Sequence, residues 1–180
     1  MRAPSIHLGV RASTVGVIRR RAVKAVVDVD GCLLLLRSGS GGDYKFPGGG
    51  VEAGEDDGAA LVRELDEECG CDVLRTGALL LCVVEEHPAR EDPTQRFEMQ
   101  SRYYDCTVSD QRRAPQLSGS ELREGLQQVL VPWDEAIATN RAVLLLDRDP
   151  LPWVDRELQA LEFLARERGL SRRDRRESGT

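Results

Sequence analysis

What this chain of 180 residues lacks rules out several kinds of protein. No run reaches the roughly 18 apolar residues of a membrane-spanning helix, so no membrane span is expected. The five cysteines, Cys32, Cys69, Cys71, Cys82 and Cys106, are odd in number and hold no repeated CxxC pair. A disulfide framework is therefore not expected, and Cys69-x-Cys71 lacks the second ligand pair of a structural zinc site. Reduced thiols fit a cytosol-like compartment, so a cytoplasmic location is expected. The net charge of −6 is opposite in sign to the basic surface that grips nucleic acid, and no nucleic-acid partner is expected. There is no GxSxG, and the glycine-rich stretch is not followed by Lys-Ser/Thr, which excludes a P-loop. No internal repeat is visible. Acids are missing from the first 27 residues, where Arg2, Arg11, Arg19, Arg20 and Arg21 stand among Ser and Thr. That is the composition of a transit peptide, and also of a plain N-terminal extension or extra strand over 1–21, which is the reading kept.

What is present concentrates between Gly49 and Cys71, GGVEAGEDDGAALVRELDEECGC. Its second half reads as a helix over Asp56–Cys69, closed by Gly70 at the position that favours glycine. Glu64, Glu67 and Glu68 stand at i, i+3 and i+4 and so project from one face. Like charges so placed repel, which makes sense where a hard divalent cation sits among them. Leu61, Val62, Leu65 and Cys69 form the apolar stripe expected to dock on a core. Ahead of the helix, Pro47-Gly48-Gly49-Gly50 disfavours a regular element and lets the backbone approach a ligand closely. Glu55 precedes the helix, where negative charge suits its dipole.

Length and a hydrophobic content of 41% fit one domain with one core, expected over 22–168. Ala22–Val29 and Cys32–Leu36 read as strands joined at Asp30-Gly31, a strong hairpin signal. Residues 38–43 are a loop, and Tyr44–Phe46 is a short extended piece. Further strands are expected over Ala78–Val84, within the stretch Val73–Glu86, and over Phe97–Val108 and Val129–Pro132, separated by a polar loop from His87 and an irregular stretch over 109–125. A short helix starts at Trp133, with Asp134 as its cap. Trp153–Arg168 forms an amphipathic helix. The charged segment 169–180 reads as a disordered tail. Strands and helices in this order imply an α/β fold with a mixed sheet between helices.

Gly49, five residues, Glu55, seven residues, then Arg63-Glu64-Leu65-x-Glu67-Glu68-x-Gly70 resembles the Nudix box of the Nudix hydrolase family. Cys71 stands where that family prefers an aliphatic residue, and a buried thiol behaves as a small hydrophobe. The resemblance implies an α/β/α sandwich and Mg²⁺-dependent hydrolysis, with Mn²⁺ as the alternative metal. The bond broken is a phosphoanhydride in a nucleoside diphosphate linked to another moiety. It implies metal ligation by Glu64, Glu67, Glu68 and the carbonyl of Gly49, and a structural pairing of Arg63 with Glu55 or a ligand carboxylate. A further glutamate is expected from the loop before the last strand, where Glu124 is preferred to Glu121. Arg37 and Lys45 flank the site and are candidates for the substrate phosphates. A homodimer is common among such relatives. A second class stays open: a Nudix module that senses a nucleotide without cleaving it, expected to have lost box carboxylates that are kept here.

Overall fold

The computed structural model describes residues 3–9, 16–39, 41–89, 91–146 and 152–170. From residue 171 onward, the expected disordered tail lies outside these residues. Two hydrogen-bonded sheets form the middle layer. The first has the order β1 (Ser5–Gly9), β6 (Cys71–Pro88), β7 (Gln95–Arg112), β2 (Gly16–Val26). The second joins β3 (Asp28–Val29), β4 (Cys32–Arg37) and β5 (Tyr44–Lys45), with β8 (Gln127–Pro132) on the other side of β4. The β3–β4 turn has Asp30 at φ 51° and Gly31 at φ 85°, the left-handed pair that a two-residue hairpin requires.

Strand β4 is buried on both faces, which is why its sequence is an apolar run rather than an alternation. Leu34 and Leu36 join Val23 and Ala25 beneath α1 (Asp57–Cys69), whose Leu61 and Leu65 are fully buried there. Full burial of such a side chain contributes roughly 1.5–3 kcal/mol. Leu33 and Leu35 face the other way, with Phe46 and Tyr103, against α3 (Trp133–Leu146) and α4 (Pro152–Glu167). Helices therefore cover both faces of the strand layer, and the α/β/α expectation holds, with the layer split into two sheets.

Several boundaries differ from the sequence reading. The strand expected to begin at Ala22 begins at Gly16 and runs parallel to β7, from Gly16 opposite Gln95 to Val26 opposite Asp105. Residues 5–9 add a further parallel strand against β6. The long β6–β7 ribbon absorbs His87, expected in a loop. Its irregular register between Cys71 and Leu81 hides the period-two pattern there. The stretch 109–125 carries the end of β7 and a short helix, α2 (Gly119–Glu124). Helix α3 runs to Leu146, and it begins at Trp133, so Asp134 lies in its first turn rather than capping it. Val62 leaves the apolar stripe and is half-exposed.

Strand β5 leads into the glycine loop, and side chains from the far layer hold it. Asn140 of α3 accepts from the Tyr44 amide and donates to the Tyr44 carbonyl, both at 2.8 Å. Glu157 of α4 accepts from the Phe46 amide at 3.2 Å. Both side chains are fully buried and stand in for a missing neighbouring strand. Asn140→Ala is expected to destabilise the protein by about 1–3 kcal/mol for each backbone group left unpaired. Chemical denaturation, read as a lower midpoint with an unchanged slope, checks this.

Candidate active site

Helix α1 starts cleanly because Asp56 caps it, accepting from the Ala59 amide at 2.8 Å. It stops at Gly70, whose φ of 59° is left-handed and whose amide donates back to Asp66. Between those ends, Glu64 and Glu68 face the glycine loop and are buried. Glu67, one residue earlier than Glu68, turns outward. Its side chain is 45% exposed against 9% for Glu64. The shared face expected of the three glutamates thus resolves into an inward pair and one carboxylate at the rim.

The loop itself lies along β2. The Val23 amide donates to the Gly49 carbonyl, the Ala25 amide to Pro47 and the Val51 amide to Arg21. At Gly48, φ is +127° and a Cβ would meet the Val23 carbonyl carbon at 3.0 Å, so glycine is required there. At Gly49 the constraint is chemical: a Cβ would collide with the Glu64 carboxylate, with Cδ at 2.5 Å. The missing side chain of Gly49 is the space that Glu64 occupies. Gly50 has nothing within 4 Å of such a Cβ.

Arg63 ties loop to helix. Its Nε and Nη2 donate to the two Glu55 oxygens at 3.0 and 2.9 Å, and Nη2 also reaches the Gly50 carbonyl at 2.9 Å. Nη1 donates to Glu64 at 2.8 Å and lies 3.5 Å from Glu67. The bidentate bond to Glu55 uses the planar fork that lysine lacks. Hydrogen bonding to Arg63 holds the Glu55 carboxyl below its ordinary range. Burial pushes Glu64 up in spite of Arg63. Burial also pushes Glu68 up to about 7, against the pull of Lys24 and of the Gly48 amide, which donates to Glu68 at 2.6 Å.

A third carboxylate joins the pair. Ligand atoms of Glu64, Glu68 and Glu121 lie within 4.8 Å of one another. Glu121 is the third residue of α2, where it accepts from the Ser118 amide at 2.6 Å in a capping box. Glu124, the glutamate preferred from sequence, is elsewhere: it pairs with Lys45 at 3.1 Å. The pattern Ser118-x-x-Glu121 is a legible helix-start signal and would have favoured Glu121. Lys24, read only as a strand residue, is buried under the loop and donates to the carbonyls of Phe46 and Gly48. A lone lysine in an apolar strand was its signal. Lys45 stands at the edge of the site. Arg37 ends β4 and is exposed, and it is not among the partners of the converging carboxylates.

The donor set fits a hard divalent cation: three carboxylates converge, two of them buried, with a cradle opened by Gly49. A model of the NUDIX domain matches residues 18–154. The chain belongs to the Nudix family. As a Nudix hydrolase it acts on pyrophosphate linkages, and the segment whose sequence resembles the Nudix box forms the loop, Arg63 clamp and inward carboxylates just described. The fold is similar to the solution structure of the E. coli ORF135 protein, with 22% identity over 87% of this chain and 95% of that one and a TM-score of 0.55. A NUDIX hydrolase from Nitrosomonas europaea has 20% identity over 83% and 90%, with a TM-score of 0.52. No curated protein matches the chain.

Gly49→Ala should displace Glu64, while Gly50→Ala should not. Mn²⁺ is expected to raise the melting temperature of the native protein and of Gly50→Ala, and to raise that of Gly49→Ala far less. Thermal melts with and without the ion check this.

Proposed function

We propose that the protein hydrolyses a phosphoanhydride bond in a nucleoside diphosphate linked to another moiety, with Mg²⁺, or Mn²⁺ in its place, held by Glu64, Glu68 and Glu121. The convergence of these three carboxylates on the space left by Gly49 carries the reading. A divalent cation held there neutralises phosphate oxygens and makes water a better nucleophile.

The chain's own groups do the rest. Arg63 fixes Glu64 from one side, and the Gly48 amide fixes Glu68 from the other, so both oxygens are aimed before substrate arrives. Lys45, at the edge of the site, places positive charge where a phosphate chain would lie. Glu67 sits at the rim with one oxygen near Arg63, positioned to take a proton or orient water at the mouth. Glu55 stays structural, consumed by Arg63. All five cysteines are free, which supports the cytoplasmic setting.

With Mg²⁺ and a panel of nucleoside diphosphate derivatives, dinucleoside polyphosphates and nucleoside triphosphates, at least one compound should be cleaved. Glu68→Gln and Glu121→Gln are expected to lower kcat by on the order of 10²-fold or more, and Glu124→Gln by far less. Tight binding of a panel member with no turnover, unchanged in Glu68→Gln, would point instead to a sensor.

A further inference from the structure

A second cleft opens beside the carboxylates, with a volume of about 210 Å³. That is below the roughly 300–1,000 Å³ of a site for a whole drug-sized ligand, so it takes a single ring system. Its lining holds two of the eight aromatic residues of the chain, Phe97 and Trp153. Phe46, Tyr44 and Tyr103 are buried in the core, and Trp133 is committed to Asp28 and Arg168. Trp153 and Phe97 instead face the cleft. The Trp153 indole is fixed by its Nε1–H, which donates to Asp43 at 3.1 Å. Phe97 is fixed by stacking on His87, with centroids 5.0 Å apart and planes at 26°. Flat, sequence-tolerant stacking surfaces of this kind bind nucleobases.

One edge of the cleft carries Lys24 and Lys45, the only two lysines of the chain. Lys24 donates to the Gly48 carbonyl, and the Gly48 amide donates to Glu68. Lys45 pairs with Glu124, on the same short helix as Glu121. A base seated among the aromatic rings therefore directs its sugar and phosphates past the lysines to the carboxylates.

Glu85 is the one carboxylate among the residues that line the cleft. Its Oε2 accepts from Arg156 Nη1 at 2.7 Å, and Arg156 is itself held by Glu157 through Nε at 3.0 Å and Nη2 at 2.9 Å. Glu157 is the buried residue that accepts from the Phe46 amide. This chain of bonds fixes the Glu85 carboxylate, and its Oε1 has no partner among the described residues. A carboxylate oxygen only accepts, so it reads N–H groups. Resting on the hydrolase reading for its biological sense, we propose that this cleft holds the nucleobase of the substrate, and that Glu85 selects cytosine and adenine, through their exocyclic amine, over uracil, thymine and hypoxanthine. Cytosine and adenine offer Glu85 an amino donor at that edge, where guanine carries a carbonyl. Uracil, thymine and hypoxanthine turn a carbonyl oxygen toward it where cytosine and adenine carry the amine, and two acceptors face each other. A site built to meet an N–H discriminates strongly against an analogue lacking it.

The test uses product-like ligands that need no turnover. Calorimetric titration of the protein with CMP against UMP, and AMP against IMP, in Mg²⁺ compares amino and oxo forms of otherwise similar rings. CMP and AMP are expected to bind at least about tenfold more tightly than their oxo counterparts. Glu85→Gln, whose amide both donates and accepts, should bring each ratio to within about threefold, while Trp153→Ala weakens all four ligands. Equal affinities within each pair for the native protein would overturn the proposal, as would a folded Glu85→Gln that keeps the preference. The native pairs suffice if Glu85→Gln does not fold. Selective binding without cleavage of any nucleotide would sink the hydrolase reading and leave this one standing. Cleavage without base preference would do the reverse.

Discussion

Arg63 is one guanidinium meeting three demands at once: it holds Glu55 bidentately, takes the Gly50 carbonyl, and steadies Glu64. The glycine loop has no packing of its own to fix it, because glycine brings conformational freedom and no side chain. Its position comes from borrowed restraints: the backbone bonds to β2, the bonds of Gly48 to Lys24 and Glu68, and this fork from α1. Substitution by lysine would keep the charge and lose the geometry. The inward carboxylates, the cradle at Gly49 and the approach of the loop all depend on that fixed separation between helix and loop.

The same logic extends outward. The strand before the loop is clamped by Asn140 and Glu157 from the opposite helical layer. Glu157 also holds Arg156, which holds Glu85. One connected set of buried polar bonds therefore runs from the carboxylates, through Phe46 and α4, to the wall of the second cleft. Such networks are costly when broken and specific when complete.

Much of this was legible because it is local. The spacing from Gly49 to Gly70 encodes loop, cap, helix and clamp within one continuous segment, and α1 needs little from the rest of the chain to declare itself. The strands around Leu33–Leu36 were equally plain as an apolar run. What escaped depends on long-range placement. Glu121 and Glu124 lie three residues apart, and the choice between them rests on where α2 packs and on Lys45 claiming Glu124. The divergence of Glu67 from Glu64 and Glu68 follows from 100° per residue on a helix whose inward direction only the packed structure fixes. Lys24, Glu157 and Glu85 come from three separate elements, so no local pattern links them. The parallel pairing of β1 with β6 and of β2 with β7 joins segments far apart in sequence and leaves no turn signal to read.

The central claim is that the space beside Gly49 is a divalent-cation site formed by Glu64, Glu68 and Glu121. The most direct measurement is a crystal structure of the protein grown with Mn²⁺, with the ion located by its anomalous scattering. The account predicts a peak about 2.1 Å from carboxylate oxygens of these three residues. A peak coordinated by Glu67 or Glu124 without Glu121, or no peak between α1 and the glycine loop at saturating Mn²⁺, would contradict it.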